Sequence, residues 1–330
     1  MKKNWLKTGA SLILAGVFLS GCTDTAEKDD SSGEKQEKVT IGVTQIVQHA
    51  SLDEAFKGFK KALEDQKIDA EFDEQNAQGD PNNSQTIATN FVNDKVDLIF
   101  ANSTPSALSA LNATKDIPIV FTSVTDPVVT KLVQSMEAPG GNVTGTTDYH
   151  PEAIPNSIAF LADELSAKKI GTIYNAGEQN SVVQVDALKE EAKKAGVEIV
   201  EASVSTSAEV KQATESLIGK VDAFYIITDN TVVSALESVV MVANDKDIPL
   251  FVGELDSVGR GGFAAFGFSY YDIGYEAGEK AAEILKDGKK PSELAVQYPQ
   301  KLKLVINETA AKEMGIEIKE EWKTEAELVK

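Results

Sequence analysis

VDLIFANSTPSALSALNATKDIPIVFTSVTD, residues 96–126, reads against VDAFYIITDNTVVSALESVVMVANDKDIPLFVGELD, residues 221–256. Each stretch opens on Val-Asp and an apolar run, then passes a polar Asn/Ser/Thr/Asp turn. Each continues through a helical segment containing Ser-Ala-Leu and reaches Asp-Ile-Pro before a second apolar run. The flanking parts match more weakly, KVTIGVTQIVQHAS with FKGFKKAL against KIGTIYNAGEQNS with VDALKEEAKKAG. A period of this length is too long for a solenoid. It predicts two similar α/β halves.

The apolar runs are uninterrupted, as in strands buried on both faces of a parallel sheet. Strands are predicted over 39–44, 70–74, 96–101, 117–121, 170–174, 197–204, 221–227, 248–252, 263–268 and 302–306. Helices are predicted over 52–66, 82–93, 182–195, 210–217 and 273–286. Leu52, Ala55, Phe56, Phe59 and Leu63 fall at helical spacing, and Gly196 supplies a C-terminal stop. Alternation of this kind means an α/β layer fold with right-handed crossovers.

The chain has 330 residues, of which 42% are hydrophobic and 25% charged, enough for two domains. Its first seven residues hold Lys2, Lys3 and Lys7, and a short apolar run then ends in Leu19-Ser20-Gly21-Cys22. That pattern is a secretory signal over residues 1–21, too short to span a bilayer. Leu-Ser-Gly-Cys resembles a bacterial lipobox, which implies a lipid on Cys22, the single cysteine, and membrane attachment through that lipid alone. Residues 22–38 are polar and are expected to be a flexible tether. The net charge of −20 loses three lysines with the signal and becomes −23. That balance excludes nucleic acid as a partner, because neutralising phosphate requires Lys and Arg.

In open parallel sheets ligands bind beyond the carboxyl ends of the strands. In the first half those ends carry Thr44, Gln45, His49 and Ser51, then Ser103 and Thr104, then Ser123. In the second half they carry Asn175, Glu178 and Ser181, then Asp229 and Asn230, then Glu254. Hydroxyl and carboxamide residues also suit helix N-caps, so each position has a structural use as well. His49 and His150 have no partner at metal-ligand spacing. Nucleophile-elbow, zincin, phosphate-loop and dinucleotide signatures are all missing, so no enzyme, metal or cofactor is expected.

The segments IGVTQIVQH (41–49), NAQGD (76–80), TPSA (104–107), IVFTSVTDP (119–127), NVTGT (142–146), YNAGEQNS (174–181) and Asp229-Asn230 resemble the substrate-binding lipoproteins of ABC transporters. The resemblance extends over about residues 39–318 and is to the branch associated with tryptophan, tyrosine or phenylalanine uptake. It implies two Rossmann-like lobes joined by a three-strand hinge, the type I periplasmic-binding fold. It further implies lobe one over 39–147 plus 257–295, lobe two over 148–256 plus 296–330, and a hinge near Asp148 and residues 257–262. By position, Ser103, Thr104 and Ser123 would hold an amino acid's carboxylate and Asp229 its ammonium. His49, Tyr149 or Tyr270 would line the side-chain pocket. The partners implied are a small-molecule ligand, an ABC permease and its ATPase. A sugar- or nucleoside-binding receptor and a ligand-sensing lipoprotein remain open alternatives.

Overall fold

A computed structural model describes residues 38–330, so the signal segment, Cys22 and nearly all of the expected tether lie outside the described residues. The first sheet contains β1 (Val39–Gln45), β2 (Ala70–Asn76), β3 (Leu98–Asn102), β4 (Ile119–Val124) and β5 (Val143–Thr147), in the order β2-β1-β3-β4-β5. Between its strands run α1 (Ala50–Asp65), α2 (Pro81–Asp94) and α3 (Thr104–Ala113). All of its pairings are parallel. The runs LIFAN and IVFTSV are buried at every position, as their unbroken apolarity requires.

The second lobe begins with α4 (Ala153–Ala159) and repeats the pattern: β6 (Lys169–Asn175), α5 (Gln179–Ala195), β7 (Glu198–Val204), α6 (Val210–Ser216), β8 (Ala223–Ile226), α7 (Asn230–Val233), α8 (Leu236–Asp245) and β9 (Leu250–Val252). Then come α9 (Leu255–Val258), β10 (Ala264–Gly267), α10 (Tyr270–Asp287), β11 (Lys303–Asn307), α11 (Glu308–Glu313), α12 (Glu320–Glu325) and β12 (Ala326–Val329). The seven-stranded sheet runs β12-β11-β10-β9-β8-β6-β7. Read from β7, its first five strands repeat the order of the first sheet. The two quoted stretches become β3-α3-β4 and β8-α7-α8-β9, neighbours at the centre of each sheet. One pairing, β10 with β11, is antiparallel.

Two strands escape the sequence pattern. β5 is Val-Thr-Gly-Thr-Thr, and its buried threonines bond instead of packing as apolar side chains: Thr144 Oγ1 donates to Leu294 O at 2.6 Å. β12 is a four-residue edge strand, half-buried or exposed at every position and too short for a periodic pattern.

The lobe boundaries also differ from expectation. Residues 257–267 were expected in lobe one, yet β10 pairs with β9 and β11 in the second sheet, and Phe263, Ala264 and Ala265 are buried there. The turn 257–262 therefore lies inside lobe two, and the chain crosses later, between Gly267 and Tyr270. Likewise Val296 and Gln297 stay with lobe one, since Val296 N–H donates to Met136 O and Gln297 O accepts from Thr147 N–H. The three crossings follow Thr147, Gly267 and Gln297.

After its return, α10 packs along α1. A Cβ added at Gly58 would lie 2.0 Å from Tyr271 O, and one at Gly274 only 1.8 Å from Ala55 O. The two backbones thus touch where glycine alone fits. Beneath them Phe59 stacks on Phe100 of β3 with centroids 3.9 Å apart. The second lobe centres on Phe224, Phe251 and Phe263, with Trp322 closing one side. Among the described residues no helix is long and apolar enough to cross a membrane.

Candidate ligand site between the lobes

Because both sheets present their strand carboxyl ends to the same gap, the polar turns of the two halves face one another. A cavity of about 590 Å³ lies there, within the range of small-molecule sites. Of the predicted residues it takes in Thr104, Asn175, Glu178 and Asn230. Ile46, Val47, Pro105 and Leu108 give it an apolar wall on the lobe-one side. Sequence reasoning missed Gln78 and Gly79 after β2 and Ser203–Ser207 at the end of β7, which also line it. The strand-end rule locates both groups once it is extended to the outer strands of each half.

Lobe one offers a helix start. Ser103, at φ 119°, caps α3 by accepting from Ser106 N–H at 3.4 Å. Thr104, 1% exposed, has a hydroxyl with no hydrogen-bond partner, and it lines the cavity. An unpaired hydroxyl at the positive end of α3 suits an anion. Other predicted residues here brace the loops. Ser123 donates to Asn102 Oδ1 at 2.9 Å, while Asn102 Nδ2 donates to Gln45 Oε1 at 3.1 Å and Leu52 O at 2.7 Å. Thr44, Ser51 and His49 are buried with unpaired polar atoms, and burial pushes the His49 imidazole down to about 4.

Lobe two offers acids. Glu178 is the charged side chain among the described residues lining the cavity. Its Oε1 accepts from Thr231 N–H and Oγ1, and its Oε2 from Asn230 Nδ2 at 2.5 Å, which fastens the start of α5 to that of α7. Asp229 differs. It caps α7 through Val232 N–H at 2.8 Å, and its second oxygen accepts from Asn175 N–H and Ser181 Oγ, each at 2.6 Å. Fully buried and absent from the cavity lining, it has a carboxyl pushed up to about 7, first by burial and then by Glu178. Nearer the hinge, burial raises Glu254, and it lifts Asp148 and Asp256 each to about 6. Asp148 accepts from Thr125 Oγ1 at 3.0 Å and Tyr270 OH at 2.9 Å. Neither Tyr149 nor Tyr270 is part of the cavity lining.

Two sheets of like strand order, crossed three times by the chain and closed over a polar cavity, define a two-lobed ligand-binding protein. Residues 40–330 match the family described as ABC transporter substrate binding protein, and the chain belongs to that family. It is 45% identical over 320 residues to the tyrosine-binding protein of Clostridioides difficile strain R20291, covering 93% of this chain and 92% of that one. Among solved structures it resembles an ABC domain from Streptococcus pneumonia in complex with L-Trp, at 32% identity and a TM-score of 0.84, over 89% of this chain and 100% of that one. It also resembles the ligand-free, open structure of a substrate binding protein with adhesive properties from Clostridium difficile. There the identity is higher, 42%, yet the TM-score is 0.64, over 88% and 99% of the chains. Similarity of sequence and similarity of shape thus rank the two oppositely.

Proposed function

We propose that this substrate-binding protein captures an aromatic amino acid in its interlobe cavity and delivers it to an ABC permease and its ATPase on the outer face of the cell membrane, held there by lipid on Cys22. The observation that carries the ligand reading is the polarity of the cavity. The unpaired Thr104 hydroxyl at the start of α3 suits a carboxylate, and Glu178 across the gap suits an ammonium. Ile46, Val47, Pro105 and Leu108 suit an apolar side chain. The names of the tyrosine-binding relative and of the L-Trp complex point the same way. Glu178 replaces Asp229 as the ammonium partner in this reading, because Glu178 lines the cavity and Asp229 does not.

A thermal-shift screen of the twenty amino acids, common sugars and nucleosides tests it. A ligand at 100 times its Kd stabilises by about 2.7 kcal/mol, and tyrosine, tryptophan or phenylalanine is expected to give the largest shift. A response to sugars or nucleosides alone sinks the reading. For the anchor, Cys22→Ser is expected to release the protein from the membrane fraction, and unchanged fractionation sinks that part.

A further inference from the structure

Gln184 lies in the second turn of α5, is 7% exposed, and is absent from the cavity lining. Its carboxamide is satisfied on every side. Thr228 N–H donates to Oε1 at 3.1 Å, which fixes the orientation of the amide. Nε2 then donates to Thr228 Oγ1 at 2.6 Å within lobe two and to Thr125 Oγ1 at 3.0 Å in lobe one. Because Thr125 Oγ1 accepts from Gln184, its own proton is directed to Asp148 Oδ1 at 3.0 Å, and Asp148 Oδ2 accepts from Tyr270 OH at 2.9 Å. Donor and acceptor directions are thereby set from β8 of lobe two, through Thr125 beyond β4 of lobe one, to the first crossing at Asp148 and the start of α10. Separating the lobes exchanges the Gln184–Thr125 bond for water, so that bond favours the joined arrangement by the net worth of one buried hydrogen bond.

We propose that Gln184 is a positioning residue that sets ligand affinity by holding the lobes closed through Thr125, without touching the ligand. The inference rests on the reading that ligand is held between the lobes, but not on the ligand being aromatic. Closure slows escape, so the effect belongs in the dissociation rate.

The test uses the full chain with L-tyrosine as the probe, following stopped-flow dissociation and the radius of gyration at saturating ligand. Thr125→Val removes the interlobe acceptor and leaves both Gln184–Thr228 bonds. It is expected to speed dissociation about three- to tenfold, as for a lost bond of ordinary strength, and to enlarge the saturated particle. Thr125→Ser keeps the hydroxyl and is expected to behave as the unaltered chain. Gln184→Ala is expected to match Thr125→Val, and the double variant to lose no more than either alone. Unchanged dissociation in Thr125→Val, equal loss in Thr125→Ser, or multiplying losses in the double variant each overturn the proposal. If the unaltered chain binds none of L-tyrosine, L-tryptophan and L-phenylalanine, the aromatic reading fails by itself. The same comparison then runs with the compound that stabilises the chain in the screen.

Discussion

At the strand ends of lobe one stand Thr44, Gln45, Asn102, Ser103, Thr104 and Ser123; at the matching ends of lobe two stand Asn175, Glu178, Ser181, Asp229, Asn230 and Glu254. The strand order is shared and both walls carry hydroxyls and carboxamides, but the acid that lines the cavity, Glu178, belongs to lobe two. A duplicated framework thus presents two unlike walls, and an α-amino acid carries one group for each. The division also tells buried structural acids from a binding acid. Asp229 and Glu178 are separated by one shell of hydrogen bonds, yet Glu178 alone lines the cavity.

The strongest test of that division is Glu178→Gln. Charge-assisted bonds are worth about 1.5–3 kcal/mol, so calorimetry is expected to show affinity for the preferred amino acid falling about ten- to a hundredfold. The loss should vanish for the deaminated analogue of the same ligand; an equal loss there would break the pairing of Glu178 with the ammonium. Asp229→Asn is expected to change affinity less than about threefold, since Asp229 does not line the cavity and its oxygens serve Val232, Asn175 and Ser181.

Lobe two's burden of buried acid has a pH signature. Asp229 at about 7 and Asp148 and Asp256 at about 6 all lie above the usual carboxylate value near 3.9. The folded state therefore binds more protons, and the stability this confers is full below about pH 4 and lost as pH rises through 6 to 7. His49 acts oppositely: held near 4 against about 6.5 unfolded, it favours folding above 6.5 and loses that contribution as pH falls toward 4. Melting temperature is expected to rise several degrees from pH 8 to pH 5.5, and the rise to shrink in Asp229→Asn. A flat or inverted profile would mean that these acids are ionised at little cost.

The lobe-one side of the division is tested by Thr104→Val. Affinity should weaken about three- to tenfold, the range for one hydrogen bond. The ligand-free melting temperature should hold, because this hydroxyl has no partner to lose. A fall in melting temperature with unchanged affinity would make Thr104 a structural residue.

Much of this was legible in the residues. DLIFA and IPIVF specify strands buried on both faces, and the shared Ser-Ala-Leu and Asp-Ile-Pro elements align β3-α3-β4 with β8-α7-α8-β9. The third strand-end group, Ser203–Ser207, was within reach of the same rule. β5 was not, because Val-Thr-Gly-Thr-Thr is buried through hydroxyl bonds that no hydropathy pattern encodes. Nor was the state of Asp229 readable, since its partners Asn175 and Ser181 lie 54 and 48 residues away in sequence. The return of the chain after β10, and not before it, depends on which neighbour Ala264–Gly267 finds, and antiparallel pairing with β11 decides that.

The glycine contacts between α1 and α10 have a mechanical consequence. α10 is the first element after the second crossing, so any torque exerted there by lobe two reaches lobe one through it. With Tyr271 O against Gly58 and Ala55 O against Gly274, the two helices cannot slide past each other like ordinary side-chain-packed cylinders. They behave as one lever. A rotation of the lobes would then be confined to the three short connections after Thr147, Gly267 and Gln297, and the cleft would open as two stiff jaws rather than by a gradual bending of its walls.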